Sequence, residues 1–420
     1  MVTDSMVSFD TVAEAGEARR GQLQINDRIL ETPHLFPVIN FYGGGNEGAL
    51  FGGGVHRTIK EFLAHDNEVT GGEDYSDLFR GVMTSISSLA DYGIREKKLD
   101  WYLNKEIREW ECFSDYDGMI FADSGGYKIL KQGGLEGEDF EKDIDQDKAL
   151  DMQLDLGPDI VVNLDHPIHP DDEFEERIEK MEQTAANAAQ FAERRDEVNG
   201  ACYLTVHGYY EAMLERSFDL IKDELAEPIP EIFDGIALGS LVPRKDNVEV
   251  LIEAVSDCKR VMQQRGYGDL PLHVLGISGN TMPLLVAVGA DSFDSASYLH
   301  QAINGKYCVN LFETVPVDEA DFDACDCRIC NDDFHRARMR NEMDDLYQKD
   351  ILGSVAAHNL AIQQRELRQF RQLIAEGDQE QVADYLEEAV KDQKGFRKFV
   401  YQLINERMNP YFEETDTTYA

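Results

Sequence analysis

Residues 159–206, DIVVNLDHPIHPDDEFEERIEKMEQTAANAAQFAERRDEVNGACYLTV, read as a strand, a helix and a second strand. The first run, DIVVNL (159–164), and the last, ACYLTV (201–206), are rich in β-branched and aromatic residues and mostly apolar on both faces. Strands of that kind belong to parallel sheets covered by helices. Between them, residues 172–195 set Phe174, Ile178, Met181, Ala185, Ala188 and Phe191 at spacings of three and four, the period of a helix with one apolar face. The pattern extends outward. HLFPVINF (34–41) and GMIFA (118–122) precede it; IFDGIAL (232–238), PLHVLGI (271–277) and a short segment around Ser292–Phe293 follow. A second helix over 247–264 carries Val250, Leu251, Ala254, Cys258 and Val261. Strands and helices alternating from about residue 30 to 300 predict an α/β protein, and that length fits a closed (β/α)8 TIM barrel. A doubly wound open sheet is the alternative, but no GxGxxG follows the first strand. No internal repeat of about 20–50 residues is present.

The chain of 420 residues is 42% hydrophobic and 10% aromatic, which excludes a disordered polypeptide. Its charge is unusual. Forty Lys and Arg stand against 82 Asp and Glu, a net of −42 spread along the chain. A generic nucleic-acid binder carries the opposite sign. Surface carboxylates in this excess suit a halophile protein, which concentrated salt hydrates and screens. No stretch of 18 or more apolar residues exists, so no membrane-spanning helix is expected. The opening MVTDSMVSFD lacks the features of a signal peptide, and a cytoplasmic location is expected. Seven cysteines, an odd number, argue against a disulfide framework.

Several polar residues fall where predicted strands end. Asp123 follows GMIFA, Asp165 closes DIVVNL, His207 follows YLTV, Gly239 and Ser240 follow IFDGIAL, and Asp294 ends DSFD. In a (β/α)8 barrel these converge on the C-terminal face, where such enzymes keep their sites. One isolated Asp at such a place most often caps a helix. Three at three strand ends suit glycosyl chemistry: one carboxylate attacks an anomeric carbon while another moves a proton. Their charges raise one another's pKa, which keeps one acid protonated beside an ionised nucleophile.

From about residue 316 the character changes. Cys325, Cys327 and Cys330 lie in CDCRIC, and three thiolates this close suit a tetrahedral zinc ion. Spacing leaves the fourth ligand open between His335, which gives a compact CxCxxCx4H, and His358 on a predicted helix. A closed four-ligand site is structural, stapling a subdomain too small for its own core. Between Arg328 and Gln372, eight Lys and Arg face seven Asp and Glu, a net of +1 in an acidic chain. Phosphate contacts by Arg336, Arg338, Arg365 and Arg368 are expected there. The acidic stretch 133–151 reads as a surface loop and helix start. The expected organisation is a catalytic barrel over 1–315, a zinc-binding subdomain with a closing helix over 316–375, and a C-terminal helical extension over 376–420.

FADSGGYKIL, NLDHP, GIALGSLVP, the SFDS segment and CxCxxC before a distant His together resemble the tRNA-guanine transglycosylases in order and spacing. ETPHLFPVINF is similar to the archaeal branch, and the likeness covers roughly residues 20–375. The resemblance implies a (β/α)8 barrel with a zinc subdomain, and exchange of guanine in a nucleic acid for a free 7-deazaguanine base without ATP. It implies Asp294 as the nucleophile that holds C1′ of the target nucleoside, Asp123 as the proton-transfer aspartate, and Asp165 as the reader of the base. It places Gly239 where backbone meets the base, and Ser124, Gly125 and Gly126 of DSGG, with His207 and Ser240, among the substrate-binding residues. It makes the zinc ligands Cys325, Cys327, Cys330 and His358, displacing His335. The target nucleotide is flipped out of its stack to reach a buried nucleophile.

Three positions depart from the family pattern. Lys128 and His207 stand where glutamines are expected, and Ser240 where a second glycine is expected. These bear on which base enters. Archaeal tRNA enzymes of the family carry further RNA-binding domains, and none is expected in this sequence. The family is mostly tRNA-directed, so the substrate expected is tRNA; the missing domains favour the alternative, DNA, the target of a related branch. A non-catalytic partner subunit and a hydrolase that releases the base to water are the other readings; retention of Asp123 and Asp294 argues against the first. Members of the family are often homodimers.

Overall fold

The computed structural model describes residues 7–39, 76–86, 104–109, 116–126, 144–343, 348–391 and 394–403. Lys128, the acidic residues 133–143 and the tail after Leu403 lie outside them, as does Cys112. The N-terminal strands β1 (Val7–Ala15), β2 (Ala18–Ile25) and β3 (Arg28–Thr32) form an antiparallel sheet in that order. Eight strands then run parallel: β4 (His34–Pro37), β5 (Gly81–Ser85), β6 (Met119–Asp123), β7 (Ile160–Val162), β8 (Ala201–His207), β9 (Gly235–Gly239), β10 (Leu272–Val274) and β11 (Ser292–Ser295). From β5 onward each pairs with the next in sequence, and β11 pairs with β4. A parallel bridge between Val38 and Met83, with the Ile39 N–H donating to the Met83 carbonyl at 2.8 Å, closes the ring between β4 and β5. The expected closed barrel is therefore the observed fold. A two-stranded ribbon, β12 (Lys306–Cys308) with β13 (Thr314–Pro316), follows it.

The helices among the described residues are α1 (Gln146–Leu156), α2 (Phe174–Glu193), α3 (Glu211–Glu224), α4 (Ile229–Ile232), α5 (Val248–Gln264), α6 (Met282–Ala287) and α7 (Ser297–Ile303). Beyond β13 come α8 (Arg328–Asn331), α9 (Asp333–Met339), the long α10 (Gln348–Ala375), α11 (Gln379–Ala389) and α12 (Lys394–Leu403). Helices α2 and α5 occupy the spans their periodicity predicts. In α2 the buried stripe is Met181, Thr184, Ala185, Ala188 and Phe191. Phe174, expected on that stripe, is instead 70% exposed at the first residue of the helix.

Eight strands enclose a core filled with side chains. Phe36, Phe121, Tyr203 and His273 meet ring to ring at centroid distances of 4.9–5.9 Å. The N-terminal sheet plugs the barrel's lower mouth: Leu23, Ile25 and Leu30 join the same cluster as Phe36, Met119 and Tyr203. Arg19 fastens the plug, with Nε and Nη2 each donating to the Asp291 carboxylate at 2.7 Å and both Nη atoms reaching backbone carbonyls of Gly268 and Leu270. Helix α10 crosses the wall where β4 and β11 meet. Gln364 donates to the Leu35 carbonyl at 2.9 Å, Arg371 to the Pro33 carbonyl at 2.6 Å, and Gln363 to Ser297 Oγ at 3.2 Å.

Sequence reading missed β5 and the whole N-terminal sheet. GVMTS is short and opens on glycine. In β1–β3 the signal is alternation within VSFDTVAEA, with tight turns at Gly16 (φ 66°) and Asn26 (φ 54°). The strand read as 232–238 is shifted to 235–239: Ile232 ends α4, and Asp234 is a link instead, its Oδ2 accepting the Cys202 N–H at 2.8 Å.

Candidate active site and metal centre

Asp123 is the last residue of β6 and Asp294 the third of β11, while Asp165 follows the short β7. All three therefore lie at C-terminal strand ends. Asp165 and Asp294 are 5% and 7% exposed. The Gly125 N–H donates to Asp123 Oδ2 at 3.0 Å, with Gly125 at φ 90°, a conformation that favours glycine. Burial pushes Asp123 up to about 6, and the Asp294 charge adds to the rise against hydrogen bonds from Ser85 and Gly125. Burial and then the Asp123 charge push Asp165 up to about 7. Ser124 Oγ donates to Asp165 Oδ1 at 3.5 Å. Gly126 touches the same carboxylate: a Cβ there would sit 1.7 Å from Asp165 Oδ1, so any side chain would evict it.

His207 ends β8 inside the barrel, fully buried, and burial pushes it down to about 3, so it is neutral. Ser240 Oγ accepts the Ile168 N–H at 3.0 Å and lies 2.9 Å from His207 Nδ1. A Ser240 hydroxyl proton directed at Nδ1 would leave the imidazole proton on Nε2. That Nε2 is buried, has no hydrogen-bond partner, and lies 3.6 Å from Asp165 Oδ2. Ser240 holds φ 68°, where the glycine expected from the family pattern would be unstrained, and its two hydrogen bonds offset a cost of about 1–2 kcal/mol. Gly239 packs against the same ring: a Cβ would lie 3.0 Å from His207 Cε1.

Asp294 Oδ1 accepts the Gly276 N–H at 2.7 Å and lies 3.2 Å from Nε2 of His273, whose Nδ1 lies 2.8 Å from Ser292 Oγ. Sequence reading missed His273 and Ser292. The available signal was a histidine in the middle of an otherwise apolar strand, PLHVLGI.

The second constellation gathers Cys325, Cys327, Cys330 and His358, whose donor atoms all lie within 4.8 Å of one another. His358 Nδ1 faces the three sulfurs at 3.9, 3.2 and 3.4 Å. Its Nε2 lies 2.8 Å from the Cys308 carbonyl, which fixes the tautomer that leaves Nδ1 free to coordinate. The Tyr307 ring stacks on the imidazole at 3.8 Å and 5°. Three thiolates and one imidazole fit zinc, and the closed set leaves no position for substrate. The compact alternative fails: His335 is turned to Ser354, Nδ1 to Oγ at 3.0 Å, and is not among the four.

Of the arginines, Arg336 pairs with Asp323 and Asp333 and donates to the Cys330 carbonyl at 2.9 Å. Arg365 pairs with Asp326 at 2.8 Å, and Arg368 is exposed. Arg338, expected at phosphates, is buried with its guanidinium 4.3 Å above the Phe334 ring, and does not reach a phosphate from there. Among the described residues no helix is long and apolar enough to cross a membrane.

A closed parallel barrel with three aspartates at its strand ends, two of them buried, followed by a Cys3His cluster that could hold a metal ion, defines a (β/α)8-barrel protein. The chain belongs to the queuine tRNA-ribosyltransferase family, a family of tRNA-guanine transglycosylases, whose model matches residues 90–392. It is 25% identical over 384 residues to the tRNA-guanine(15) transglycosylase of Pyrococcus abyssi, covering 89% of this chain and 55% of that protein. With the enzyme of the same name from Pyrobaculum aerophilum it shares 25% over 405 residues, 94% of this chain and 69% of that one. With that of Haloferax volcanii it shares 29% over 293 residues, 68% and 50%. The chain thus spans about half the length of several of the curated relatives it matches.

Proposed function

We propose that this protein is a base-exchange transglycosylase that replaces guanine in tRNA with a 7-deazaguanine base through a glycosyl–aspartate intermediate. The observation that carries the reading is the trio Asp123, Asp165 and Asp294 at C-terminal strand ends of one barrel face, with two carboxyls shifted to about 6 and about 7. Asp294 attacks C1′ of the flipped nucleoside as the C1′–N9 bond breaks, and Asp123 gives its proton to the departing guanine. The incoming base then passes its N9 proton to Asp123 and attacks C1′, and the Asp294–C1′ bond breaks. Two displacements at one carbon return the original stereochemistry. Asp165 and the Nε2–H of His207 offer an acceptor beside a donor, which suits the N–H and carbonyl of a guanine-like edge, with Gly239 and Ser240 shaping that wall. Zinc, bound by Cys325, Cys327, Cys330 and His358, supplies structure and takes no part in these steps.

Unfractionated tRNA and a matched DNA duplex, each incubated with labelled guanine, test the reading. Label in tRNA is expected; label in DNA alone reassigns the substrate. Release of base without incorporation identifies a hydrolase, and no reaction a binding subunit.

Asp123→Asn should lower turnover by about 10² to 10⁴. In the unaltered protein Asp123 must be protonated for the first displacement, so single-turnover adduct formation should fall as pH rises past about 6. A rate that is flat through that range, with an unimpaired Asn variant, would show that another group moves the proton.

The charge of −42 supports a halophile enzyme that makes few phosphate contacts, since each costs a log–log salt slope of about −0.7 to −0.9. Exchange should persist in molar KCl with a shallow slope. Replacing Arg336, Arg365 and Arg368 together by Gln should weaken tRNA binding and leave binding of the free base unchanged. Activity confined to low salt would sink the halophile reading.

A further inference from the structure

We infer that His273 is a positioning residue for Asp294, and that it selects which carboxylate oxygen attacks. The inference rests on the proposed role of Asp294 as nucleophile. Both hydrogen bonds to Asp294 fall on one oxygen: Oδ1 accepts the Gly276 N–H at 2.7 Å and faces His273 Nε2 at 3.2 Å. Oδ2 is therefore the oxygen whose lone pairs are left for C1′. An oxygen that already accepts two hydrogen bonds is the poorer nucleophile of the pair, and anchoring it orients the other.

The histidine is built to donate. Its ring is fully buried in the barrel, packed between Phe36 and Phe121 at centroid distances of 5.9 and 4.9 Å. Ser292 Oγ lies 2.8 Å from Nδ1. A Ser292 hydroxyl donating to Nδ1 leaves the ring proton on Nε2, where it points at the carboxylate. The opposite tautomer would set the Nε2 lone pair against Asp294 Oδ1. Ser292 stands two residues before Asp294 on β11, so both side chains project from the same face of that strand, and His273 faces them from its partner strand β10. One strand thus carries the attacking group and the residue that sets the tautomer of its anchor.

The test uses the full chain with unfractionated tRNA, reading covalent adduct in a single turnover on a denaturing gel together with tRNA binding. His273→Phe keeps an aromatic ring and removes the donor. Adduct formation should fall by about 10- to 100-fold with tRNA affinity within about twofold of the parent. His273→Gln, which returns an N–H donor on a flexible stem, should recover part of the rate. Ser292→Ala, which frees the tautomer without touching the ring, should fall by a smaller factor and guards against misfolding of the Phe variant. Adduct at the parental rate in both His273→Phe and Ser292→Ala would overturn the inference while leaving Asp294 as nucleophile. Equal loss in His273→Phe and His273→Gln with weakened tRNA binding would make His273 merely structural, and overturn it too. No adduct in the parent protein under any condition would overturn the nucleophile reading and this inference with it.

Discussion

Asp294→Asn is expected to abolish base exchange, by roughly 10⁴- to 10⁶-fold, and to remove the covalent adduct while the barrel stays folded. An amide matches the carboxylate in size, and its oxygen still accepts the Gly276 N–H that Oδ1 now takes at 2.7 Å. The amide lacks the charge and the nucleophilicity to hold C1′. Folding should not suffer. The Asp294 charge is among the causes of the rise at Asp123, so removing it relieves that neighbour. Melting of the variant at or above the parental temperature, with no adduct on a denaturing gel, is the expected pair of results. An Asn variant that still forms the adduct would remove Asp294 from the nucleophile role.

The second large effect is on stability. Cys327→Ala should cost the protein its zinc, one ion per chain, and with it most of the order around residues 325–340. Helices α8 and α9 span only four and seven residues, too short to persist alone. Binding of structural zinc is worth on the order of 10 kcal/mol in small zinc domains, and that energy is folding energy. Cys327 is also the N-terminal cap of α8, its sulfur accepting the Cys330 N–H at 3.4 Å, so its loss removes a ligand and a cap together. Elemental analysis and thermal melting before and after chelation provide the check. His358→Ala should lose the metal and His335→Ala should keep it. A parent protein without zinc, or one whose melting ignores chelation, would defeat the assignment.

The two halves of the candidate site differ in how legible they are. Asp123, Asp165 and Asp294 stand out in the sequence because each closes an apolar run, and strand ends of a parallel barrel all point to one face. The cysteines stand out because their spacing is chemical. Spacing could not choose between His335 and His358. Both lie on helices near the cysteines, and only the turn of each ring, one toward Ser354 and one toward three sulfurs, separates them. His273 gave almost no signal, since its importance comes from a neighbour on the next strand, 21 residues away in sequence. Arg338 misled for the related reason that a charge count does not know which side chains face inward.

Local periodicity therefore determined that this chain alternates strand and helix, and which residues are chemically suited to glycosyl transfer and metal binding. Those are properties of short windows, and short windows suffice for them. Only the tertiary structure decided that the ring closes through β5 and the Val38–Met83 bridge, that an antiparallel sheet plugs the lower mouth, and which histidine meets the thiolates. It also decided the hydrogen-bond partners around Asp294 and the burial that lifts Asp123 and Asp165. Each of these depends on distances between groups far apart in the chain. Desolvation and tautomer are fixed by the neighbours that packing supplies, and composition does not contain them.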